Sequence, residues 1–169
     1  WVVMLGIRTA SQQAAWRDQR TFLETTIAHG GDSARMFINL GQVESNAGRY
    51  DAARVCFREA LDRAPNQPLA WFGVANVAIR TRDFSAAHEA LAKADASPLL
   101  KAEVLQARAV LDHRESGRDS GDLLREAVDA APRSWAMRKR WIEYLDGCGR
   151  TPEAVQELSA LIEREAFRA

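Results

Sequence analysis

Apolar residues along this chain recur at three- and four-residue steps, in short blocks separated by Gly, Pro, Asp and Ser. In DSARMFINLGQVESNAG, Met36, Phe37, Leu40 and Val43 fall on one helical face. Asp32 or Ser33 stands ahead of it, where a side-chain oxygen accepts from a free backbone N–H, and Gly48 stands behind, suited to a left-handed end. In DAARVCFREALDRA, Ala53, Cys56, Phe57, Ala60 and Leu61 share a face, and Pro65 stops the helix. ASPLLKAEVLQARAVL predicts a helix opened by Ser97 and Pro98. TPEAVQELSALIERE predicts another, with Thr151 as cap, Pro152 in the first helical position and Glu153 facing the helix dipole. No run alternates with the period of a strand, so almost no strand is expected.

The blocks repeat. Phe37 corresponds to Trp71, Tyr50 to Phe84, Ala53 to Ala87, Phe57 to Leu91 and Ala60 to Ala94, each 34 residues on. After Pro98 the interval slips by one, so that Leu91, Ala94 and Asp95 return as Leu124, Ala127 and Val128, and Pro132 closes the unit as Pro65 did. Leu124 and Ala127 return as Leu158 and Leu161, and Ser120 as Ala154. A fixed period of about 20–50 residues marks a stacked-repeat protein. Four helix pairs are predicted, over 34–67, 68–100, 101–134 and 135–168, after an N-terminal helical pair in 1–33. Ala53, Ala60, Ala87, Ala94, Ala127 and Ala154 stand where helices approach closely. Phe37, Phe57, Trp71, Leu91 and Leu158 fill the gaps between them. One pair cannot bury both of its faces, so each leans on its neighbours. The third pair departs: DHRESGRDSGDLL replaces a compact turn with glycines, serines and charges, and predicts a looser or longer turn around Ser116 to Gly121 that is either an irregularity or a contact site.

Composition narrows the class. The chain has 169 residues, 47% apolar and 27% charged, which fits a globular chain and excludes a disordered one. Lys and Arg number 23, as do Asp and Glu; with no basic excess, no nucleic-acid partner is expected. Cys56 and Cys148 fall in distant units, as two small apolar helix residues, and no disulfide is expected. The opening WVVMLGI, stopped by Arg8, is far shorter than the ~20 residues of a membrane span. It reads either as the last turns of a span or as a helix capping the stack. His29, His88 and His113 lie in different units without paired spacing, so neither a metal nor another cofactor is expected. No nucleophile elbow or phosphate loop occurs, and the chain reads as non-catalytic.

Residues 34–67 carry Phe37, Leu40, Gly41, Gly48, Tyr50, Ala53, Phe57, Ala60 and Pro65 in the order of the tetratricopeptide repeat, which this unit resembles. The second unit departs at Ala75, where that family has Gly. The third keeps Leu124, Ala127 and Pro132, and the fourth Gly149, Ala154 and Leu158. The resemblance implies an all-α right-handed superhelical solenoid of antiparallel helix pairs. It also implies a protein- or peptide-binding scaffold whose first helices line the inner face. On that basis the partner-binding residues are Arg35, Ile38, Asn39 and Gln42, then Leu69, Phe72, Asn76 and Arg80, then Leu105 and Gln106, and last Lys139, Arg140 and Glu143. Phe72 is expected to be a large exposed aromatic. The Lys/Asn/Asn/Lys/Arg set with which some members grip chaperone tails is replaced by Ile38, Gln42, Gly73, Ala102 and Gln106. An asparagine ladder begins at Asn39 but continues as Gly73, Gln106 and Arg140. Neither subtype is implied.

A second resemblance covers Ala14 to Gly41. Trp16, Asp18, Phe22, Asp32, Ala34, Asn39, Leu40 and Gly41 follow the order seen where multi-spanning membrane proteins, glycosyltransferase-like enzymes among them, pass into a C-terminal tetratricopeptide domain. It implies that WVVMLGI ends a membrane span and that the domain is extracytoplasmic. The alternatives are an accessory, acceptor-holding domain of such an enzyme, and a self-associating cytoplasmic adaptor.

Overall fold

A computed structural model describes residues 19–166. Among them are nine α-helices, one 3-10 turn and no strand. The helices are α1 (Gln19–Ala28), α2 (Ala34–Asn46), α3 (Tyr50–Arg63), α4 (Pro68–Thr81) and α5 (Phe84–Ala94). After a 3-10 turn at Pro98–Leu100 come α6 (Lys101–Ser116), α7 (Gly121–Ala130), α8 (Trp135–Gly147) and α9 (Thr151–Ala166). The run Trp1–Ile7, with Trp16 and Asp18, lies outside the described residues. No helix among the described residues is long and apolar enough to cross a membrane. The chain divides into two compact units, Trp1–Ala96 and Ser97–Ala169.

In the first unit, α2 pairs with α3 and α4 with α5. Ile38, Ala53, Phe57, Ala60, Ala70 and Val77 form one core. Ala53, Ala60, Ala87 and Ala94 are fully buried, so no side chain holds the helices apart there. The Phe57 ring fills the space left by Gly41 and Gly73. Helix α1 adds Leu23 to Leu40 and Cys56, with Phe22, Ile27, Met36 and Val43 around them. Phe37 and Trp71 are only half-buried. The Arg63 guanidinium lies 4.2 Å from the Phe37 ring centre and the Lys93 ammonium 4.0 Å from that of Trp71, so each open ring face meets a cation.

In the second unit, α6 pairs with α7 and α8 with α9. Its core joins Leu105, Ala109, Leu124, Ala127, Val128, Met137, Trp141, Leu145 and Ala154. Leu158 is not part of it. The side chain is 42% exposed, in a row with Val155 and Ile162, on the side of α9 turned away from α8, its main packing partner among the described helices. Cys148 also departs from expectation: Cys56 is buried, but Cys148 caps the end of α8 in solvent.

The turns share one feature. Each hairpin turns through a left-handed residue, at Gly48 (φ +76°), Arg82 (φ +63°), Gly117 (φ +66°) and Gly149 (φ +74°). Only Arg82 carries a side chain there, at the position that Gly48 would occupy one repeat later. Capping differs in detail from the expectation. Ser33 and Ser97 stand at N-cap positions without a side-chain cap bond, whereas Asp83 accepts from the Ala86 N–H (3.2 Å) and Ser134 from that of Met137 (3.4 Å). Thr151 already lies in helix α9, and its hydroxyl turns instead to Asp146 (3.3 Å).

Candidate functional site

The thirteen expected contact residues divide into accessible and buried. On α2, Arg35, Asn39 and Gln42 are exposed, and Gln42 donates to Asn46 Oδ1 at 3.0 Å. On α4, Leu69 and Arg80 are exposed, while Phe72 and Asn76 are half-buried, so Phe72 is not the fully exposed aromatic expected. Ile38 is only 9% exposed and packs with Phe57, which removes it from any contact surface. Leu105 is corrected for the same reason. At 2% exposure it belongs to the core around Trp141. A helix turns about 100° per residue, so one position on a first helix separates the open face from the packed one. Gln106 is half-buried. Lys139, Arg140 and Glu143 are exposed on α8, with Glu143 placed 3.7 Å from Lys139 and 3.9 Å from Arg140.

Arg140 and Glu143 are the two of the thirteen that border a large cleft. It lies within the second unit, between the C-terminal halves of α6 and α8, and holds about 580 Å³. Ala109, Val110 and Leu124 supply its apolar floor. His113, Arg114, Arg118, Asp119 and Tyr144 complete its sides, and Cys148 stands at its margin. Sequence reasoning passed over these residues, although it singled out the loop that carries Arg118 and Asp119.

That loop is longer than the other hairpin turns but firmly held. Ser120 is buried, and its hydroxyl donates to the Ala109 carbonyl at 2.8 Å, across to α6. Asp119 accepts from the Gly121 N–H at 3.0 Å and from the Tyr144 hydroxyl of α8. The Tyr144 bond, and then the Gly121 bond, hold the Asp119 carboxyl below its ordinary range. The same carboxylate, together with burial, pushes the Tyr144 hydroxyl far above its ordinary value. The Tyr144 ring stacks on Trp141, centres 5.5 Å apart and planes 15° from parallel, which anchors the cleft wall to the core. Gly121 has no room for a side chain because a Cβ would stand 2.6 Å from the Tyr144 oxygen.

A second cleft in the same unit, about 510 Å³, lies among α7, α8 and α9. Its principal cation, Arg138, already bonds Glu157 (3.1 Å) and the Pro132 carbonyl (3.1 Å). Among the described residues no group of three or more His, Cys, Asp or Glu side chains is placed to hold a metal ion.

Tandem α-hairpins, small residues at the crossings and a left-handed turn in each pair define a helical-repeat protein. Residues 34–77 match the tetratricopeptide repeat family, and the fold is that of tetratricopeptide proteins. The solved structures that it resembles include MamA, residues 41 to the end, from Desulfovibrio magneticus RS-1. The two are 17% identical, with a TM-score of 0.63 over 95% of this chain and 93% of that one. YrrB, described as a TPR protein with an unusual peptide-binding site, is 18% identical, with a TM-score of 0.58 over 85% of this chain and 75% of that one. A tetratricopeptide repeat protein from Parabacteroides merdae ATCC 43184 is 12% identical, with a TM-score of 0.68 over 90% of this chain and 60% of that one. No curated protein matches the sequence.

Proposed function

We propose that this chain is a protein- or peptide-binding scaffold. The carrying observation is that its first helices present rows of polar and apolar side chains at least partly open to solvent: Arg35, Asn39 and Gln42 exposed on α2, and on α4 Leu69 and Arg80 exposed with Phe72 and Asn76 half-buried. Amides bond an extended backbone, Arg pairs carboxylates, and Phe72 and Leu69 offer apolar seats, the mixture that a few anchors of a partner need. YrrB, a protein of the same fold, is described as peptide-binding, which supports the reading. The chemistry is binding by a rigid surface, with no bond made or broken.

Photo-crosslinking tests it. A benzophenone side chain is placed at Asn39 or Asn76, and at the exposed Arg58 of α3 as a control. A discrete protein adduct from the first two positions and none from the third is expected. Adducts that appear equally at all three, or at none, would sink the proposal.

The setting proposed for the scaffold is the extracytoplasmic end of a membrane-anchored protein, supported by the junction-like order from Trp16 to Gly41 and the apolar Trp1–Ile7. The full-length product with a C-terminal tag should fractionate with membranes and resist protease until the outer compartment is opened. A freely soluble cytoplasmic product overturns this setting and leaves the scaffold reading in place.

A further inference from the structure

We propose that the cleft of the second unit docks an acidic segment of a partner polypeptide, with carboxylates on both sides of one aliphatic or aromatic side chain. The proposal rests on the scaffold reading and names the chemistry that one of its sites selects. Three features carry it.

The first is the combination of size and floor. A volume of about 580 Å³ accommodates one large side chain and its adjoining backbone. Ala109 and Leu124 beneath it are 2% and 8% exposed, so the bottom of the cleft offers an apolar seat.

The second is the charge left over at the rim. Two carboxylates and three guanidinium groups border the cleft. Asp119 is turned to Tyr144 and Gly121, and Glu143 is shared between Lys139 and Arg140. The guanidinium of Arg118 makes no ion pair or hydrogen bond among the described residues. Arg140 meets Glu143 only at 3.9 Å, longer than the ~2.7–2.9 Å of a formed charge-assisted bond. Both forks therefore keep donors for an incoming carboxylate, the group whose planar geometry they match. A polyphosphate chain fits less well, since the chain as a whole carries no net charge and the floor is apolar.

The third is that the walls are already in place. Ser120 fastens the loop to α6 and Tyr144 fastens it to α8. Binding does not have to order the loop that carries Arg118, which lowers the entropic cost of association.

The test uses the full chain labelled with nitrogen-15 and two synthetic nonapeptide pools. In the acidic pool, Asp or Glu flanks a central Leu, Ile or Phe; its twin carries Asn or Gln instead. The acidic pool should shift the amides of Val110, Gly117 and Tyr144, and bind at least tenfold more tightly than the twin. Replacing both rim cations (R118Q with R140Q) should remove that advantage. Both side chains are exposed, so the melting temperature should not change. Equal binding of the two pools overturns the acidic chemistry and leaves a scaffold. Shifts confined to α2 and α4 overturn this cleft and also leave a scaffold. Displacement by an oligonucleotide at equal charge concentration overturns the peptide as occupant. No shift from either pool overturns the proposal outright, while the crosslinking result decides the scaffold reading separately.

Discussion

The ring edge of Phe57 lies flush against the backbone of Gly73, so close that a methyl group on Gly73 would overlap three of its carbons. Gly41 faces the same edge, where an added Cβ would stand 2.8 Å from Cε1. Phe57 is 1% exposed and has nowhere to retreat. The G73A variant gains about 1 kcal/mol of helix propensity, but overpacking a filled core costs about 1–3 kcal/mol. A net loss of up to about 2 kcal/mol is expected in urea unfolding. The double variant with F57L should lose less than the sum of the two single changes, because the smaller side chain yields the space. Strict additivity would show that the contact is not what excludes the methyl group.

This contact also shows what could and could not be read in advance. The 34-residue recurrence placed the alanines, Phe57 and Leu91 on packed faces, and all are buried. It did not reveal that Gly73 receives the ring, since the repeat register drew attention to Ala75, itself fully buried. The candidate site was less legible. Asp119 and Tyr144 are 25 residues apart, follow no period, and meet only because α8 packs beside the loop. Ile38 and Leu105 were assigned to the open face by position in the repeat, yet Phe57 and Trp141 claim them. Periodicity reports which residues are packed more clearly than which surface is left over.

Arg82 holds the left-handed conformation that glycine takes at the other three hairpins, with φ +63°. A side chain there is disfavoured by about 1–2 kcal/mol relative to glycine, partly offset by the unfolded chain's greater freedom when glycine is present. The R82G variant is therefore expected to be more stable by about 0.5–1 kcal/mol, read as a higher urea midpoint with an unchanged slope. A loss of stability would mean that the Arg82 side chain contributes contacts that outweigh its backbone cost.

Glu44 is 2% exposed and bonds Arg20 of α1 (2.7 Å) and Arg49 of the α2–α3 turn. The hydrogen bond from Arg49 is the main reason its carboxyl stays below the ordinary 4.5; burial opposes, and Arg20 adds to the lowering. A depressed folded value means that the stabilisation is complete above about 4.5 and fades as the pH falls through the lower folded value. The E44Q variant should lose about 2 kcal/mol at neutral pH. The gap should narrow as the pH falls below about 4.5 and through the lower folded value, where the native carboxylate also takes up a proton. A gap independent of pH would assign the loss to packing instead of charge.

The loop from Gly117 to Ser120 is held at two points, and these can be separated. Ser120 is buried with its hydroxyl on the Ala109 carbonyl, a bond that ties the loop to α6 beside the carbonyl's own helical bond, so S120A should cost about 1 kcal/mol of global stability. Tyr144 acts at the surface instead. In Y144F the ring stacking on Trp141 remains, while the hydroxyl's bond to Asp119 and its contact with Cys148 are lost. Its expected effect is local, with faster amide hydrogen exchange at Gly121, whose N–H is bonded to the same carboxylate, and little change in global unfolding. The Asp119 carboxyl, relieved of its main partner, should also titrate at higher pH than in the unmodified chain, as followed by its carbon-13 shift. If Y144F leaves both exchange and titration unchanged, the hydroxyl does not hold the loop, and the preformed wall of the cleft must rest on Ser120 alone.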